Sequence, residues 1–201
     1  MSVRPIVIAG ESILHRPSAL VESFDADVAP LAQDMIDTMQ EAPGVGLAAP
    51  QIGVDAAVFV WNYSGYSSFD SLYGPALGLG EPCPSSGVVV NPCLELFWDE
   101  GRVLPAEIEL ERESEGCLSL PGYSFPLRRA TRAILKGWTP EGEPVLIEAI
   151  GWLARIFQHE FDHLQGIVYI ERLSEPWASQ ARAVAEAKGW RIPGIVRPEA
   201  Q

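Results

Sequence analysis

Residues 151–166, GWLARIFQHEFDHLQG, contain the pattern His-Glu-x-x-His, which decides both the fold and the chemistry expected of this chain. Apolar residues recur through the segment at helical spacing and a glycine ends it, so a buried helix is predicted. Histidines four residues apart lie on one face of a helix, so His159 and His163 can bind one metal ion. Glu160 stands beside the first histidine, where it can take a proton from water. The segment predicts metal-assisted hydrolysis; the alternative is a pair of core histidines satisfied by neighbouring carboxylates.

Composition sets the class of protein around this helix. The chain has 201 residues, of which 47% are hydrophobic, enough for one domain with a substantial core. It contains no apolar run near the ~20 residues of a membrane span and no visible targeting segment, so a soluble protein without a membrane partner is expected. A net charge of −13 argues against phosphate-driven nucleic-acid binding, so no specific DNA binding is expected. Three cysteines without a signal sequence favour a reducing compartment.

Hydrophobic periodicity predicts the remaining elements. A helix is expected over residues 25–41 with an aspartate at its start, and Ser174 is expected to cap a helix that runs to Lys188. Residues 62–87 are rich in Ser, Tyr, Gly and Pro, which indicates a long loop or insertion. Strands are predicted at residues 56–61, 88–90, 94–98, 132–138 and 145–149.

Strands that precede and flank one buried helix predict an α+β fold. No linker or internal repeat stands out, so residues 1–201 are expected to form a single domain. In that domain, antiparallel or mixed sheets pack around the central metal-binding helix. This domain is expected to contain a loop insertion at residues 62–87 and to end in a C-terminal helix plus tail from residue 174.

The third metal ligand separates the classes of hydrolase, because a catalytic metal usually has three protein ligands. The only other histidine, His15, lies in a segment that looks exposed, and Tyr169 stands where longer metallopeptidase patterns have a third histidine. A downstream carboxylate would give a zinc endopeptidase, and this alternative stays open at Glu171, Glu175 and Glu186.

Cys117 is the better candidate for the third ligand. It lies in residues 115–122, EGCLSLPG, a small-residue stretch in which the backbone can approach a ligand closely. One thiolate and two imidazoles form a coherent ligand set for a divalent transition metal. An isolated cysteine, by contrast, is more often a buried structural thiol.

Three segments together resemble the peptide deformylases. They are residues 44–51, GVGLAAPQ, residues 115–119, EGCLS, and residues 158–166, QHEFDHLQG, and they occur in the order found in that family. The resemblance spans most of the chain. It implies an amidohydrolase that removes formyl from the N-terminal methionine of new polypeptides and releases formate.

The resemblance also implies a role for each matching residue. The metal ligands would be Cys117, His159 and His163, and Glu160 would be the general base. The groups that stabilise the tetrahedral oxyanion would be the Gln51 side chain and the Leu118 backbone N–H. Val45, Leu118 and Ile156 would line the pocket for the methionine side chain. Val45, Gly46 and Gly116 would pair with the backbone of the peptide.

Further expectations concern the metal, the partners and the location. The ligand types suit zinc as well as iron, and the resemblance favours one Fe(II) ion per chain, with Zn, Ni or Co as substitutes. The expected partners are N-formylmethionyl peptides, and the expected location is the bacterial cytoplasm or, for a mature organellar form, an organelle. A local excess of basic residues after Arg182 suggests a transient ribosome contact through the C-terminal tail.

Overall fold

The computed structural model describes residues 2–80, 83–99 and 101–195. Its helices are α1 (Val28–Glu41), α2 (Ser68–Leu77), α3 (Leu110–Glu113), α4 (Trp152–Leu164) and α5 (Trp177–Lys188). Its strands are β1 (Gly46–Ala48), β2 (Val58–Tyr63), β3 (Ser85–Phe97), β4 (Ser114–Gly116), β5 (Ser124–Pro126), β6 (Arg132–Trp138) and β7 (Pro144–Ile150).

Five strands form one antiparallel sheet in the order β1-β2-β3-β6-β7, and β4 and β5 form a separate two-stranded hairpin. Alternate residues of the large sheet point toward α4. Ala133 and Leu135 of β6 are fully buried, whereas Lys136, the next residue along the strand, is exposed. The α+β prediction is therefore confirmed, with antiparallel sheets packed around a central helix.

Helix α4 is buried by its aromatic and aliphatic face. The Phe157 ring lies 5.9 Å from that of Phe59 and 5.1 Å from that of Trp61, both on β2. Burial of large aromatic side chains contributes strongly to stability, so these contacts fix α4 across the sheet. The helix that carries the His-Glu-x-x-His pattern is consequently one of the most firmly held parts of the molecule.

The two strands predicted at 88–90 and 94–98 are one strand, β3. Its pairing with β6 shifts register between Val90 and Cys93, and Asn91 has a positive φ of 49° there. An irregularity of this kind changes which residues face inward, so the alternation breaks although the strand continues. This break is why the sequence pattern suggested two strands.

The prediction of an irregular loop over residues 62–87 is wrong where α2 lies. The Ser67 side chain accepts a hydrogen bond from the Asp70 N–H (2.9 Å) and caps α2, while Phe69 and Tyr73 lie one turn apart on its buried face. Strands β2 and β3 also extend into both ends of the range. The Gly and Pro residues that suggested a loop, Gly74 and Pro75, lie inside this helix. Residues 81 and 82 lie outside the described residues.

Helix α5 begins later than predicted. Its cap position is Pro176, and Ser174 contributes only its backbone carbonyl, which accepts from the Ala178 N–H at 3.0 Å. Ala181 and Ala185 are fully buried against the core. Within the described residues, no helix has both the length and the apolar content needed to cross a membrane. The end of the tail, including Arg197, lies outside the described residues.

Candidate active site

Cys117, His159 and His163 come together although the cysteine is more than forty residues from the histidines in sequence. One ligand atom from each lies within 4.8 Å of the other two, and the Cys117 Sγ is 3.2 Å from His163 Nε2. Both histidines are buried. A thiolate and two imidazoles arranged in this way fit a divalent transition metal with an open position for water or substrate.

The hairpin β4–β5 places Cys117. Glu115 of β4 pairs with Phe125 of β5, and the chain turns directly after Gly116, with the Leu120 N–H donating to the Cys117 carbonyl at 2.9 Å. The thiol therefore projects from the first residue of a hydrogen-bonded turn toward α4. Its position depends on how this short hairpin is attached to the helix.

Glu115 orients His159. Its Oε2 lies 3.0 Å from His159 Nδ1, which leaves the other ring nitrogen for a metal. Burial alone would raise the pKa of Glu115, but the Arg129 guanidinium and the hydrogen bond from His159 hold that pKa well below its usual range. Burial lowers the pKa of His163, which keeps this imidazole in the neutral form that binds metals. For His159, burial is outweighed by contacts with Cys117 and Glu115, which raise its pKa.

Two buried arginines join the hairpin to α4. Arg129 donates to Glu115 (2.8 and 2.9 Å) and to Asp162 on α4 (2.6 Å), so one guanidinium connects both elements. Arg155 donates to Glu115 Oε1 at 2.7 Å. On the other side, the half-exposed Arg172 forms a second ion pair with Asp162. Since buried charges are stable only when paired, this network holds the ligand-bearing segments in register.

Glu160 is buried beside the candidate ligands. Glu115 and Asp162 form ion pairs with Arg129, but Glu160 lacks such a partner among the described residues. Its Oε2 has no hydrogen-bond partner among the described residues, and burial raises its pKa to about 7. Gly46 of β1 packs directly on it, since a Cβ at this position would lie 2.7 Å from the Glu160 Cδ. The carboxyl group is therefore confined and has the proton affinity of a base near neutral pH.

Gln51 is held by its carbonyl oxygen, which accepts from the Ala48 N–H at 2.8 Å. Its side-chain nitrogen consequently points to the ligands, 3.5 Å from the Cys117 Sγ and 3.4 Å from the Ser119 Oγ. The contact with the Ser119 oxygen is long for an N–H···O hydrogen bond, so the amide can donate this hydrogen to another acceptor in the site.

A cavity of about 530 Å³ opens onto these groups. The predicted substrate-binding residues all line it: Val45, Gly46, Gly116, Leu118 and Ile156. Sequence reasoning missed other wall residues, namely Pro43, Leu120, Tyr123 and Trp152. A signal for Trp152 was available, because it lies seven residues before His159 and hence on the same helix face.

The other sequence candidates do not belong to the group of side chains placed to hold a metal within the described residues. The side chain of His15, expected to be exposed, is buried, with Nε2 accepting from the Gly10 N–H at 3.3 Å. Glu171 accepts from the Val168 N–H and Glu175 from the Ser179 hydroxyl. Glu186 is exposed on α5. Within the described ranges, the group able to hold a metal consists of Cys117 and the two α4 histidines.

Comparison with known proteins gives one consistent result. Residues 3–178 match the family model described as polypeptide deformylase. The peptide deformylase of Acidothermus cellulolyticus is 43% identical over 189 residues, which cover 94% of this chain and 89% of that protein. The peptide deformylase of Mycolicibacterium paratuberculosis is 41% identical over 200 residues, covering 97% of this chain and 93% of that one.

Solved structures agree. The crystal structure of peptide deformylase from Thermus thermophilus superposes with a TM-score of 0.71 at 34% identity, covering 92% of this chain and 95% of that chain. That of peptide deformylase from Ehrlichia chaffeensis gives a TM-score of 0.74 at 32% identity, covering 94% and 96%.

Proposed function

Because this chain belongs to the polypeptide deformylase family, and is thus a metal-dependent hydrolase that removes N-formyl groups, we propose how its residues divide the reaction. The metal ligands are Cys117, His159 and His163, and the base is Glu160. The observation that carries the proposal is a buried carboxyl group, with one oxygen lacking a hydrogen-bond partner among the described residues, beside a Cys-His-His group at a cavity of about 530 Å³. The substrate is a peptide that begins with formyl-methionine.

The donor set supports one divalent ion per chain, and we favour Fe(II), with Zn, Ni or Co as substitutes. A bound ion supplies Lewis acidity, which polarises the formyl carbonyl and makes water a better nucleophile at neutral pH. The preference for iron rests on the family resemblance, because a thiolate and two imidazoles suit zinc equally well. Metal analysis of protein purified without oxygen tests it: zinc at full occupancy and no iron would contradict the preference.

Glu160 moves the proton. It accepts a proton from water as the water oxygen bonds to the formyl carbon, and it returns that proton to the amine nitrogen as the carbon–nitrogen bond breaks. The products are formate and a free α-amino group. Its raised pKa, about 7, suits a group that must both take and give a proton near neutral pH.

The Gln51 side-chain nitrogen and the Leu118 backbone N–H stabilise the oxyanion that develops on the formyl oxygen. Support comes from Gln51, whose fixed carbonyl aims its NH₂ group into the site. Removing one such donor typically lowers the rate about 10²–10³-fold.

The cavity binds the rest of the substrate. Val45, Leu118 and Ile156 line the space for the methionine side chain, and Val45, Gly46 and Gly116 offer backbone groups to the peptide. Strand β1 supports this role because, among the described residues, β2 is the one strand that pairs with it, through Gly46 and Trp61 among others, and Gly46 also lines the cavity.

A zinc endopeptidase that uses a downstream glutamate is not favoured. Its best candidate, Glu186, is exposed on α5, whereas the Cys117 Sγ lies 3.2 Å from His163 Nε2. The two functions are separated by the variants discussed below.

The deciding experiment measures formate release from formyl-Met-Ala-Ser by protein loaded anaerobically with Fe(II) or with Ni(II), beside Glu160→Ala and Glu160→Gln. Wild-type protein should release formate, and both variants should be about 10²–10⁴-fold slower while retaining the metal. Stoichiometrically loaded wild-type protein that releases no formate would reject the proposed roles, and peptide cleavage would then be assayed.

We propose that the enzyme works in the bacterial cytoplasm or, as a mature organellar form, in an organelle, and that it makes a transient ribosome contact through the C-terminal tail. The exposed Lys188 and Arg191 supply the charge. Since α5 carries core residues, charge reversal of Lys188 and Arg191 is a better test than truncation. Unchanged co-sedimentation with ribosomes would overturn the contact.

A further inference from the structure

Trp152, the first residue of α4, lines the same cavity as His159 and Cys117. It precedes His159 by seven residues, so the two side chains share a helix face about 10 Å apart along the axis. Ile156 lies between them and also lines the cavity. The chain of atoms from a formyl carbon to the terminal methyl of methionine has a comparable length. A methionine that extends past Ile156 would therefore meet the Trp152 ring.

Helix α2 packs against that ring from behind. The Phe69 ring lies 6.4 Å from the Trp152 ring at 47°, and the Arg155 guanidinium carbon lies 5.2 Å from the Trp152 ring and 5.8 Å from the Phe69 ring. Phe69 is itself 3% exposed, packed with Tyr73 and Leu104. It is absent from the cavity lining. Phe69 thus contacts Trp152 and Arg155, which line the cavity, but does not line the cavity itself.

The backbone at this junction is equally fixed. Asp70 Oδ1 accepts from the Trp152 N–H at 2.8 Å, and the Tyr63 hydroxyl donates to the other oxygen of the same carboxylate. Gly151 has a positive φ of 66°, and a Cβ there would overlap Asp70. A carboxylate at the N-terminus of a helix is stabilised by the unpaired N–H groups of the first turn. Asp70 therefore holds α2 against the start of α4, which leaves Phe69 little freedom to move.

Arg155 cannot replace Phe69 as a support. Its Nη1 donates to the Glu113 carbonyl, to Glu115 Oε1 and to the Leu127 carbonyl, at 3.1, 2.7 and 2.7 Å. These bonds hold the guanidinium toward the hairpin, so loss of the Phe69 ring would free the indole rather than the arginine.

We infer that Phe69 is a positioning residue that fixes Trp152 as the end wall of the substrate pocket, so that α2 sets how long a first side chain the enzyme accepts. The inference rests on the proposed function, because it assumes that the first side chain enters this cavity. It assigns a specificity role to a segment that the sequence presents as an insertion.

A series of formyl peptides that differ only in the length of an unbranched first side chain measures the depth of the pocket. The series is formyl-norleucyl-Ala-Ser and its analogues with one and two added methylenes, and the readout is kcat/KM for formate release. Each methylene that fits poorly in an apolar pocket costs roughly 10–200-fold. Wild-type enzyme should therefore lose activity steeply beyond norleucine.

In Phe69→Ala and the milder Phe69→Leu, kcat/KM should fall less steeply as the first side chain becomes longer. We expect the ratio of kcat/KM for the longest peptide to that for the norleucyl peptide to rise about tenfold or more, with the metal content unchanged. Trp152→Leu, which removes the wall itself, should raise the ratio at least as much. Phe69→Leu retains most of the side-chain volume, so it keeps the test open if the alanine variant does not fold.

Leu104→Ala is the matched control for loss of buried volume, because Leu104 belongs to the same buried cluster as Phe69, whereas the ring that stands 6.4 Å from the Trp152 ring is that of Phe69. Its ratio should stay at the wild-type value. If the ratio is unchanged in both Phe69 variants, or if Leu104→Ala raises it equally, the positioning role is rejected. If wild-type enzyme releases no formate from any peptide, the proposed function itself is rejected. This outcome differs from rejection of the positioning role, in which wild-type enzyme is active.

Discussion

At the scale of single residues, the site depends on close contacts that a larger side chain would disrupt and on hydrogen bonds that a differently charged side chain would lose. Gly46 packs on the buried carboxyl of Glu160, and Glu115 orients His159 through one hydrogen bond of 3.0 Å. Each contact joins residues that are far apart in sequence. The chemistry of a residue is consequently set by a neighbour contributed by another element.

Gly46→Ala should lower kcat/KM for formyl-Met-Ala-Ser by about 10²-fold while the metal content stays at wild-type level. The added Cβ would displace the Glu160 carboxyl, and a misplacement of about 1 Å in a catalytic group can cost that much. Formate release and metal analysis on the same sample provide the measurement.

Gly80→Ala is the control for this substitution, since a Cβ at position 80 would meet no atom of the described residues within 4 Å. A Gly46→Ala enzyme within twofold of wild type would show that the contact does not constrain the base.

Cys117→Ser should lose its metal during dialysis, with affinity reduced well over tenfold, whereas Glu186→Gln should retain both metal and activity. The reason is that the Cys117 sulfur lies with the two histidines, while Glu186 is exposed. Metal content after dialysis, followed by formate release, distinguishes the two. The opposite pattern would favour the endopeptidase.

At the scale of elements, the hairpin β4–β5 and helix α4 must be held in register for the ligands to meet. Arg129 makes this connection, because it donates both to Glu115 on β4 and to Asp162 on α4. Burial alone would lower the pKa of its guanidinium, but the Glu115 and Asp162 carboxylates outweigh burial and raise that pKa above its usual value. Loss of this arginine would leave buried carboxylates with fewer partners.

Arg129→Met should reduce the free energy of unfolding by roughly 3–5 kcal/mol, the usual effect of removing one partner from a buried ion pair. Arg172→Met should cost at most about 1 kcal/mol, since Arg172 pairs with the same Asp162 from a half-exposed position. Denaturant titrations of both variants, metal-loaded, give the comparison. Equal losses would mean that burial of Arg129 does not matter.

At the scale of the whole molecule, the cavity lies between the large sheet with α4 and the smaller hairpin region. Separate buried clusters stabilise these parts, one around Phe59 and Phe157 and another around Leu120, Tyr169 and Ala181. The three ligands bridge the parts, because Cys117 belongs to the hairpin region and both histidines to α4. A metal ion should therefore strengthen the molecule most where the parts meet.

Chelation should lower the unfolding free energy by about 4 kcal/mol if the protein is held at a free metal concentration of ~1,000 times Kd before chelator is added. Amide exchange should accelerate most in β4, β5 and the turn between them, and least in the core of the five-stranded sheet. Thermal denaturation and hydrogen exchange with and without chelator test this. Cys117→Ser should show no further loss on chelation.

The sequence by itself determined the α+β class, helix α4 and strand β6, because each is encoded by a local periodicity of 3.6 or 2 residues. It also predicted two candidate ligands and a candidate base, since the spacing of His159, Glu160 and His163 is a property of one helix turn. Cys117 was the better candidate for a third ligand because of its small-residue context and the chemistry of a thiolate with two imidazoles, although no local periodicity links it to α4.

Only the tertiary structure decided the placement of α2, the burial of His15 and the arginine network around Glu115. The contact between Asp70 and the Trp152 N–H joins residues 82 apart in sequence. No local pattern encodes such a pair, since its energy arises when the folded chain brings the two groups together and excludes water. The chemistry of the site was therefore readable from short-range spacing, whereas the shape of its pocket depends on long-range packing.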